Sequence, residues 1–93
     1  MAMMVKDSDA RIDFEFDWFA ACPEGQAVVA SSWTVVPGEA GGIVVAATAY
    51  DLTQSTATLT GGIAGRIYRV TNRVTMSDGQ IDERSMTVRV EER

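Results

Sequence analysis

The segment YRVTNRVTMSDGQIDERSMTVRV, residues 68–90, contains two runs in which apolar and polar residues alternate, with Ser-Asp-Gly between them. A period of two is typical of a strand with one buried face. Gly79 ends the short linking stretch, and a glycine there is typical of a hairpin loop that needs one left-handed residue. The segment therefore predicts an antiparallel β-hairpin.

The length of the loop determines which residues of the hairpin face each other. A three-residue loop over residues 77–79, with a G1 bulge at Gly79, sets Tyr68 opposite Val88 and Val70 opposite Met86. A two-residue turn would shift the pairing by one residue and would place apolar side chains opposite polar ones. We therefore predict the three-residue loop.

A charged triplet, Asp82-Glu83-Arg84, opens the second strand of this hairpin. In the predicted register the cross-strand pairs are Asp82 with Val74, Glu83 with Arg73 and Arg84 with Asn72. A pair such as Glu83 with Arg73 is worth about 0.2–1 kcal/mol at an exposed position. Two interpretations stay open for the triplet, a polar strand end that holds the register or a part of a contact surface.

The rest of the chain carries four more strand signals. Residues 11–18, RIDFEFDW, alternate strictly, and the apolar face consists of Ile12, Phe14, Phe16 and Trp18. The runs at 26–36, 43–50 and 55–60 are rich in β-branched or small residues, and glycine or proline separates most of them. With the hairpin this makes about six strands without helical periodicity, which indicates an all-β antiparallel sandwich or barrel over residues 11–93, after an N-terminal arm at residues 1–10.

Two aromatic residues refine this prediction. Trp33 shares strand parity with Val29 and Val35, so we expect a core aromatic whose indole N–H needs a partner. Tyr68 follows the glycine-rich bend at residues 61–65, where the glycines allow positive φ. A tyrosine at this point is typical of the tyrosine corner of an immunoglobulin-like sandwich, in which the hydroxyl bonds to loop backbone. Tyr68 therefore favours an immunoglobulin-like antiparallel β-sandwich of about six to seven strands.

Composition and charge limit the classes of function. The 93 residues suffice for one domain with a marginal core, and no apolar run approaches the roughly 20 residues that span a bilayer. The first residues lack the apolar core of a secretory signal, so we expect the protein to be made and kept in a cytoplasm. A net charge of −5 disfavours binding to nucleic acid or to an anionic membrane.

Catalytic and metal-binding chemistry has little support in the sequence. The chain contains no histidine, and Cys22 is its only cysteine, so we expect no disulfide, no zinc site and a Cys22 side chain that is small, apolar and partly buried. The stripe Asp13, Glu15 and Asp17 places carboxylates about 7 Å apart along one strand face, too far for close sharing of one cation. We therefore expect no catalytic residue, no cofactor and no metal.

The charges are unevenly distributed along the chain. Residues 1–51 have a net charge of −6, and residues 52–93, in which every basic residue is arginine, have a net charge of +1. An acidic early strand and an arginine-bearing late strand could dock head-to-tail between copies in a ring. The candidate interface residues are Asp13, Glu15, Asp17, Phe19, Arg69, Arg73, Asp82, Glu83 and Arg84.

The sequence resembles small proteins of tailed phages named fiber-tail adaptor proteins. The resemblance rests on Asp17-Trp18, on SSWTVVPG at residues 31–38 and above all on STATLTGGIAGRIYRVTNRVTMSDGQIDERSMTVRV at residues 55–90. It implies an immunoglobulin-like structural protein of the virion, not an enzyme, present in several copies at the neck or tail and joining larger components such as tail tube, portal or fibers. Two alternatives stay open: a capsid decoration protein and a sugar-binding immunoglobulin-like module.

Overall fold

The alternating runs of the sequence form two β-sheets in the structure, a computed structural model that describes residues 3–21 and 25–92. Within these residues the strands are β1 (Met3–Asp7), β2 (Ile12–Asp17), β3 (Val28–Val36), β4 (Ile43–Tyr50), β5 (Gln54–Gly61), β6 (Ile67–Met76) and β7 (Ile81–Glu91). One turn of 3-10 helix, Phe19–Ala21, follows β2. The described part of the chain contains no helix long and apolar enough to cross a membrane.

The two sheets have the strand orders β1-β7-β6-β3 and β2-β5-β4, here named the large sheet and the small sheet. β1 pairs with β7 in parallel, and the other paired strands are antiparallel. An immunoglobulin domain places its second, fifth and fourth strands in one sheet and its seventh, sixth and third strands in the other. β2 to β7 follow that scheme, which confirms the predicted immunoglobulin-like sandwich.

The hairpin of β6 and β7 has the predicted register. Tyr68 lies opposite Val88, Val70 opposite Met86 and Arg73 opposite Glu83. The Met76 amide donates a hydrogen bond to the Gln80 carbonyl at 2.7 Å, which closes a three-residue loop. Gly79 has a φ of 91°, the left-handed conformation expected for a G1 bulge. The three-residue loop is therefore confirmed.

The inward residues of both sheets form the core. β2 turns its apolar residues inward as predicted, and Trp18 at its end is completely buried. The larger buried cluster consists of Ile43, Ala57, Leu59, Tyr68, Val70, Val88 and Val90. A smaller cluster at the other end of the sandwich consists of Trp18, Val28, Val74 and Met76.

Trp33 packs between the sheets on β3. Its ring stacks on Phe16, with centroids 5.7 Å apart and planes 10° apart, and meets Phe14 edge to face at 6.1 Å. In antibody domains the tryptophan of the third strand packs against a disulfide that joins the second and sixth strands. β2 and β6 contain no cysteine here, so aromatic rings fill that space. The Trp33 Nε1 is buried without a hydrogen-bond partner among the described residues, so its expected partner is absent.

One strand parity was predicted wrongly. The register of β3 against β6 shifts between Val28 and Ala30, where β3 contains a bulge. Val28 is consequently buried, whereas Val29 is 49% exposed and does not share the face of Trp33. A bulge adds one residue to a strand and reverses the side-chain alternation from that point on.

The N-terminal residues contribute a strand that the sequence pattern did not indicate. Residues 3–7, which lie within the predicted N-terminal arm, form β1 at the edge of the large sheet. Lys6 points inward with 2% of its surface exposed, and its Nζ donates hydrogen bonds to the carbonyls of Asp7 at 2.8 Å and Gly61 at 2.7 Å. Burial lowers the pKa of this ammonium, although the nearby carboxylates of Asp7 and Asp9 act in the opposite direction.

Tyr68 forms the predicted tyrosine corner. Its hydroxyl accepts a hydrogen bond from the Ile63 amide at 3.1 Å and donates one to Glu39 Oε1 at 2.8 Å. Burial is the main cause that raises the pKa of Tyr68. The bend that it holds needs its glycines, because Gly61 has a φ of 75° and a Cβ there would lie 2.6 Å from the Gly42 carbonyl oxygen.

Candidate interaction surface

A buried polar network determines where β2 ends and therefore where its carboxylates lie. The Trp18 indole donates to Asn72 Oδ1 at 2.9 Å, and Asn72 Nδ2 donates to Ser31 Oγ at 2.9 Å and to the Ser32 carbonyl at 3.0 Å. The Ser31 hydroxyl also bonds to the hydroxyl of Ser55 in the small sheet. The network joins both sheets across the core, so the end of β2 has a fixed position.

Arg84 connects the sheets at the same end of the sandwich. It belongs to β7 and turns inward, with its guanidinium 4.4 Å from the centre of the Trp18 ring. One of its nitrogens also donates to the Asp17 carbonyl at 2.7 Å. A guanidinium over an indole face is attracted by the ring's negative face, and the hydrogen bond sets its direction. Arg84 is therefore engaged within the chain and leaves little of its charge for a partner.

The charged triplet does not act as one group. Glu83 points outward and lies 3.7 Å from Arg73, with both side chains more than half exposed, so the ion pair contributes little stability. Asp82 is exposed at the open end of the sandwich, where its Oδ1 accepts a hydrogen bond from the Glu83 amide at 2.8 Å. The side chains of the triplet thus lie in three different places: Asp82 at the open end, Glu83 on the outer surface of the large sheet and Arg84 against Trp18.

The outer surface of the small sheet, here named the acidic face, contains the three carboxylates of β2. Asp13, Glu15 and Asp17 are all exposed, and Asp13 accepts a hydrogen bond from the Thr58 hydroxyl at 2.7 Å. Strands β2, β4 and β5 contain no lysine or arginine. Beyond a row of threonines on β5, the face ends in the small apolar side chains of β4. These are Val44, Ala47 and Ala49, which pair with Thr60, Thr58 and Thr56.

The outer surface of the large sheet, here named the arginine face, contains Arg69, Arg73 and Arg89. Arg89 lies 3.2 Å from Glu91, and Arg73 lies near Glu83 as described above. Arg69 has no carboxylate within 4.0 Å among the described residues. A shallow groove lined by Arg69, Glu83, Ser85 and Thr87 runs along this face.

Apolar side chains surround Arg69 on the arginine face. Arg69 pairs with Val36 of β3 on one side and with Thr87 of β7 on the other, and Thr87 pairs with Met3 of β1. Met3, Val36 and Ile67 are 58%, 63% and 57% exposed. Sequence reasoning did not select these three residues, because the placement of Met3 and Val36 beside β6 and β7 is known only from the pairing of β1 and β3. The combination of exposed apolar side chains and a free guanidinium is typical of a protein contact surface.

Phe19 lies at the end of the sandwich, away from both faces. It is 69% exposed in the 3-10 turn, and its amide donates to Asp17 Oδ1 at 2.9 Å. Leu52 at the same end is 70% exposed, and the hydrogen bond from the Trp18 amide to the Thr53 carbonyl places its loop beside Phe19. Phe19 therefore lies beside the candidate residue Asp17, but at the end of the sandwich and not on either outer face. Cys22 lies outside the described residues.

No group of three or more His, Cys, Asp or Glu side chains that could hold a metal ion occurs within residues 3–21 and 25–92.

A sequence model of the family described as podophage GP4 fiber-tail adaptor protein gp77 matches residues 6–89 of the chain. The match extends from the buried Lys6 to Arg89 on β7, so it includes residues of both outer faces. No curated protein matches the chain.

Proposed function

Because the chain belongs to the podophage GP4 fiber-tail adaptor family, we propose that several copies of it lie at the neck or tail of a phage particle and join larger components there. Membership makes it a structural component of the virion that interacts with other virion proteins. The components that we propose as its partners are the tail tube, the portal and the fibers. The family match over residues 6–89 is the observation that carries this proposal.

Two properties of the molecule support an adaptor role. Its outer faces differ, since one is acidic and the other combines arginine with exposed apolar side chains. A single small domain can therefore contact unlike neighbours. The sheets are also connected by the Trp18–Asn72–Ser31–Ser55 network and by Arg84, so the two faces keep a fixed relation to each other. A connector between large assemblies needs that fixed relation.

Phage particles produced without the protein test the proposal directly. A stop codon early in its gene should yield DNA-filled heads whose particles lack fibers, as seen by negative-stain electron microscopy and by mass spectrometry of purified particles. Supplying the protein from a plasmid should restore the fibers. Particles that keep a normal set of fibers without the protein would contradict the adaptor role.

A second experiment distinguishes the adaptor from the two alternative functions. The tagged protein is recovered from a phage-infected lysate, and the proteins bound to it are identified by mass spectrometry. Neck, tail or fiber proteins are the expected result, whereas major capsid protein alone would indicate capsid decoration. Binding of the purified protein to a glycan array, with no virion protein recovered, would instead indicate a sugar-binding module.

A further inference from the structure

We propose that the acidic face of one copy docks on the arginine face of a second copy, with Glu15 of the first copy placed against Arg69 of the second. The inference rests on the proposed function, which requires several copies in one particle. It adds the identity of the contact surfaces and the kind of partner that each surface accepts. Charge complementarity, matching apolar areas and the available area of each face support it.

The charges of the two faces are complementary. Asp13, Glu15 and Asp17 lie on a sheet whose strands contain no lysine or arginine. The exposed Arg11 just before β2 can balance at most one of the three carboxylates, so the acidic face keeps a net negative charge. Arg73 and Arg89 have carboxylate neighbours on the arginine face, which leaves Arg69 as the guanidinium available to a partner among the described residues of that face. A guanidinium binds a carboxylate through two parallel hydrogen bonds, which favours one orientation of the partner.

Each face also offers apolar surface beside its charges. On the acidic face the apolar part is the edge strand β4, with Val44 54% exposed. On the arginine face Met3, Val36 and Ile67 lie around Arg69. Contact between the faces would remove these side chains from water while it pairs the charges. Apolar burial supplies most of the affinity in such contacts, and the charged pairs select the partner and its orientation.

The size of the faces is sufficient for a specific contact. The molecule measures 44 × 22 × 18 Å, so the sandwich has broad faces. A stable protein interface needs roughly 800 Å² from each partner, which such a face can provide. Because the two complementary surfaces lie on opposite sides of one sandwich, the contact is head-to-tail. Repeated contacts of this kind form a ring if the rotation between copies closes, and a filament if it does not.

A charge-exchange experiment with the purified full chain tests the proposal. Sedimentation velocity is measured over a range of concentrations in low salt. The wild type should self-associate, and Glu15→Arg and Arg69→Glu should each weaken association by about tenfold or more, since each sets like charges against each other. An equimolar mixture of the two variants should associate again. In the mixture the two substituted side chains meet with their charges exchanged, and the unchanged Glu15 of one variant meets the unchanged Arg69 of the other.

Two control variants make the same changes of charge outside the contact. Glu92→Arg adds as much positive charge as Glu15→Arg, at an exposed position near the end of the chain. Arg66→Glu removes as much positive charge as Arg69→Glu, and Arg66 lies in the exposed bend before β6. Both controls should associate like the wild type. Circular dichroism establishes that all four variants are folded.

Three results would overturn the proposal: a wild type that stays monomeric at all concentrations, single variants that associate normally, or a mixture that does not recover. Failure of this contact is distinguishable from failure of the adaptor role. A monomeric wild type whose absence still removes fibers from the particle would refute the contact alone. A protein that assembles as described, but whose absence leaves the fibers in place, would refute the adaptor role alone.

Discussion

Asn72 shows how one buried polar residue organises this core. It is completely buried between the two apolar clusters, where most inward positions are occupied by valine, leucine or aromatic residues. Its side chain accepts from Trp18 and donates to Ser31 and to the Ser32 carbonyl, so its hydrogen-bonding groups are used. A satisfied polar group in the core favours one register of β3, β6 and β2 over all others, because any shift would leave these groups unpaired.

Replacement of Asn72 by leucine should therefore destabilise the protein although leucine is apolar and of similar size. The Trp18 indole would lose its partner inside the core, whereas the Ser31 hydroxyl would keep its bond to Ser55. An unsatisfied buried group costs about 1–3 kcal/mol. Urea denaturation followed by tryptophan fluorescence measures the change in free energy of unfolding. Thr34→Ala, an exposed position on β3, serves as control and should change that free energy by less than about 0.5 kcal/mol. An Asn72→Leu variant as stable as the wild type would show that the network does not stabilise the fold.

The tyrosine corner predicts a specific dependence on pH. Burial raises the pKa of Tyr68 in the folded state, so the unfolded chain loses this proton first when the pH rises above the ordinary value of 10.0. The stability that Tyr68 contributes is complete below that pH and decreases as the pH rises towards its folded-state pKa. Tyr68→Phe cannot lose that proton. The difference in unfolding free energy between wild type and Tyr68→Phe should thus be largest near pH 7 and should shrink above pH 10.

Urea titrations from pH 7 to pH 11 measure this difference. The two proteins differ only at residue 68, so the contributions of all other groups cancel in the comparison. A difference that stays constant up to pH 11 would show that Tyr68 loses its proton at the same pH in the folded and the unfolded protein.

The strands differ in how well the sequence predicts them. β2, β5, β6 and β7 follow from alternation alone, and the register of the β6–β7 hairpin follows from its loop length. β1 was missed because one of the two inward positions of MMVKD is Lys6, and the burial of this lysine depends on the distant Gly61 carbonyl. The bulge in β3 depends on its pairing with β6, which local sequence does not encode. Long-range pairing is the information that a single sequence lacks.

The candidate interface residues also divide into features that local alternation predicts and features that depend on tertiary contacts. The common face of Asp13, Glu15 and Asp17 follows from strand parity. The engagement of Arg84 by Trp18 does not, because it joins two strands from different sheets. The availability of Arg69 could be recognised only after the pairs Arg73–Glu83 and Arg89–Glu91 were located. Parity thus predicts a face, and tertiary structure decides which of its charges remain available.

Arg84 should act as a link between β7 and β2. Arg84→Met keeps the apolar stem but removes the hydrogen bond to the Asp17 carbonyl and the charge over Trp18. We expect a loss of about 1–3 kcal/mol in unfolding free energy together with a changed near-ultraviolet circular dichroism signal of tryptophan. Arg73→Met, which breaks only an exposed ion pair, is the matched control and should have almost no effect. Equal effects of the two substitutions would contradict the assigned role of Arg84.

Deletion of residues 1–7 should destabilise the sandwich and promote aggregation. The deletion removes β1 and the Lys6 hydrogen bond to Gly61, and it exposes the edge of β7. An uncovered strand edge readily pairs with another chain. Thermal unfolding and light scattering measure both effects, and Met3→Ser provides the comparison because it keeps the strand and changes an exposed side chain. A truncated chain that melts at the wild-type temperature and stays monomeric would show that β1 is dispensable.

For the whole molecule, the net charge of residues 1–51 is −6 and that of residues 52–93 is +1. Folding turns this difference in charge along the chain only partly into a difference between the two outer faces. β2 keeps its carboxylates on the small sheet, whereas most arginines of the large sheet are already paired within the chain. The arginine face is thus less positive than the sequence alone indicates. Its capacity to attract an acidic partner is concentrated at Arg69, and this is why the charge-exchange experiment uses that residue.

The burial of Lys6 has a practical consequence for chemistry performed on whole particles. Lys6 is the only lysine of the chain, and 2% of its surface is exposed. Amine-specific cross-linkers and acylating dyes will therefore find no accessible lysine side chain on the folded protein. Cross-linking maps of the virion made with such reagents will under-represent its contacts, whereas carboxylate- or arginine-specific reagents will detect them. Acylation of Lys6 will proceed only when β1 detaches, so its rate can be used to time that opening in the assembled particle.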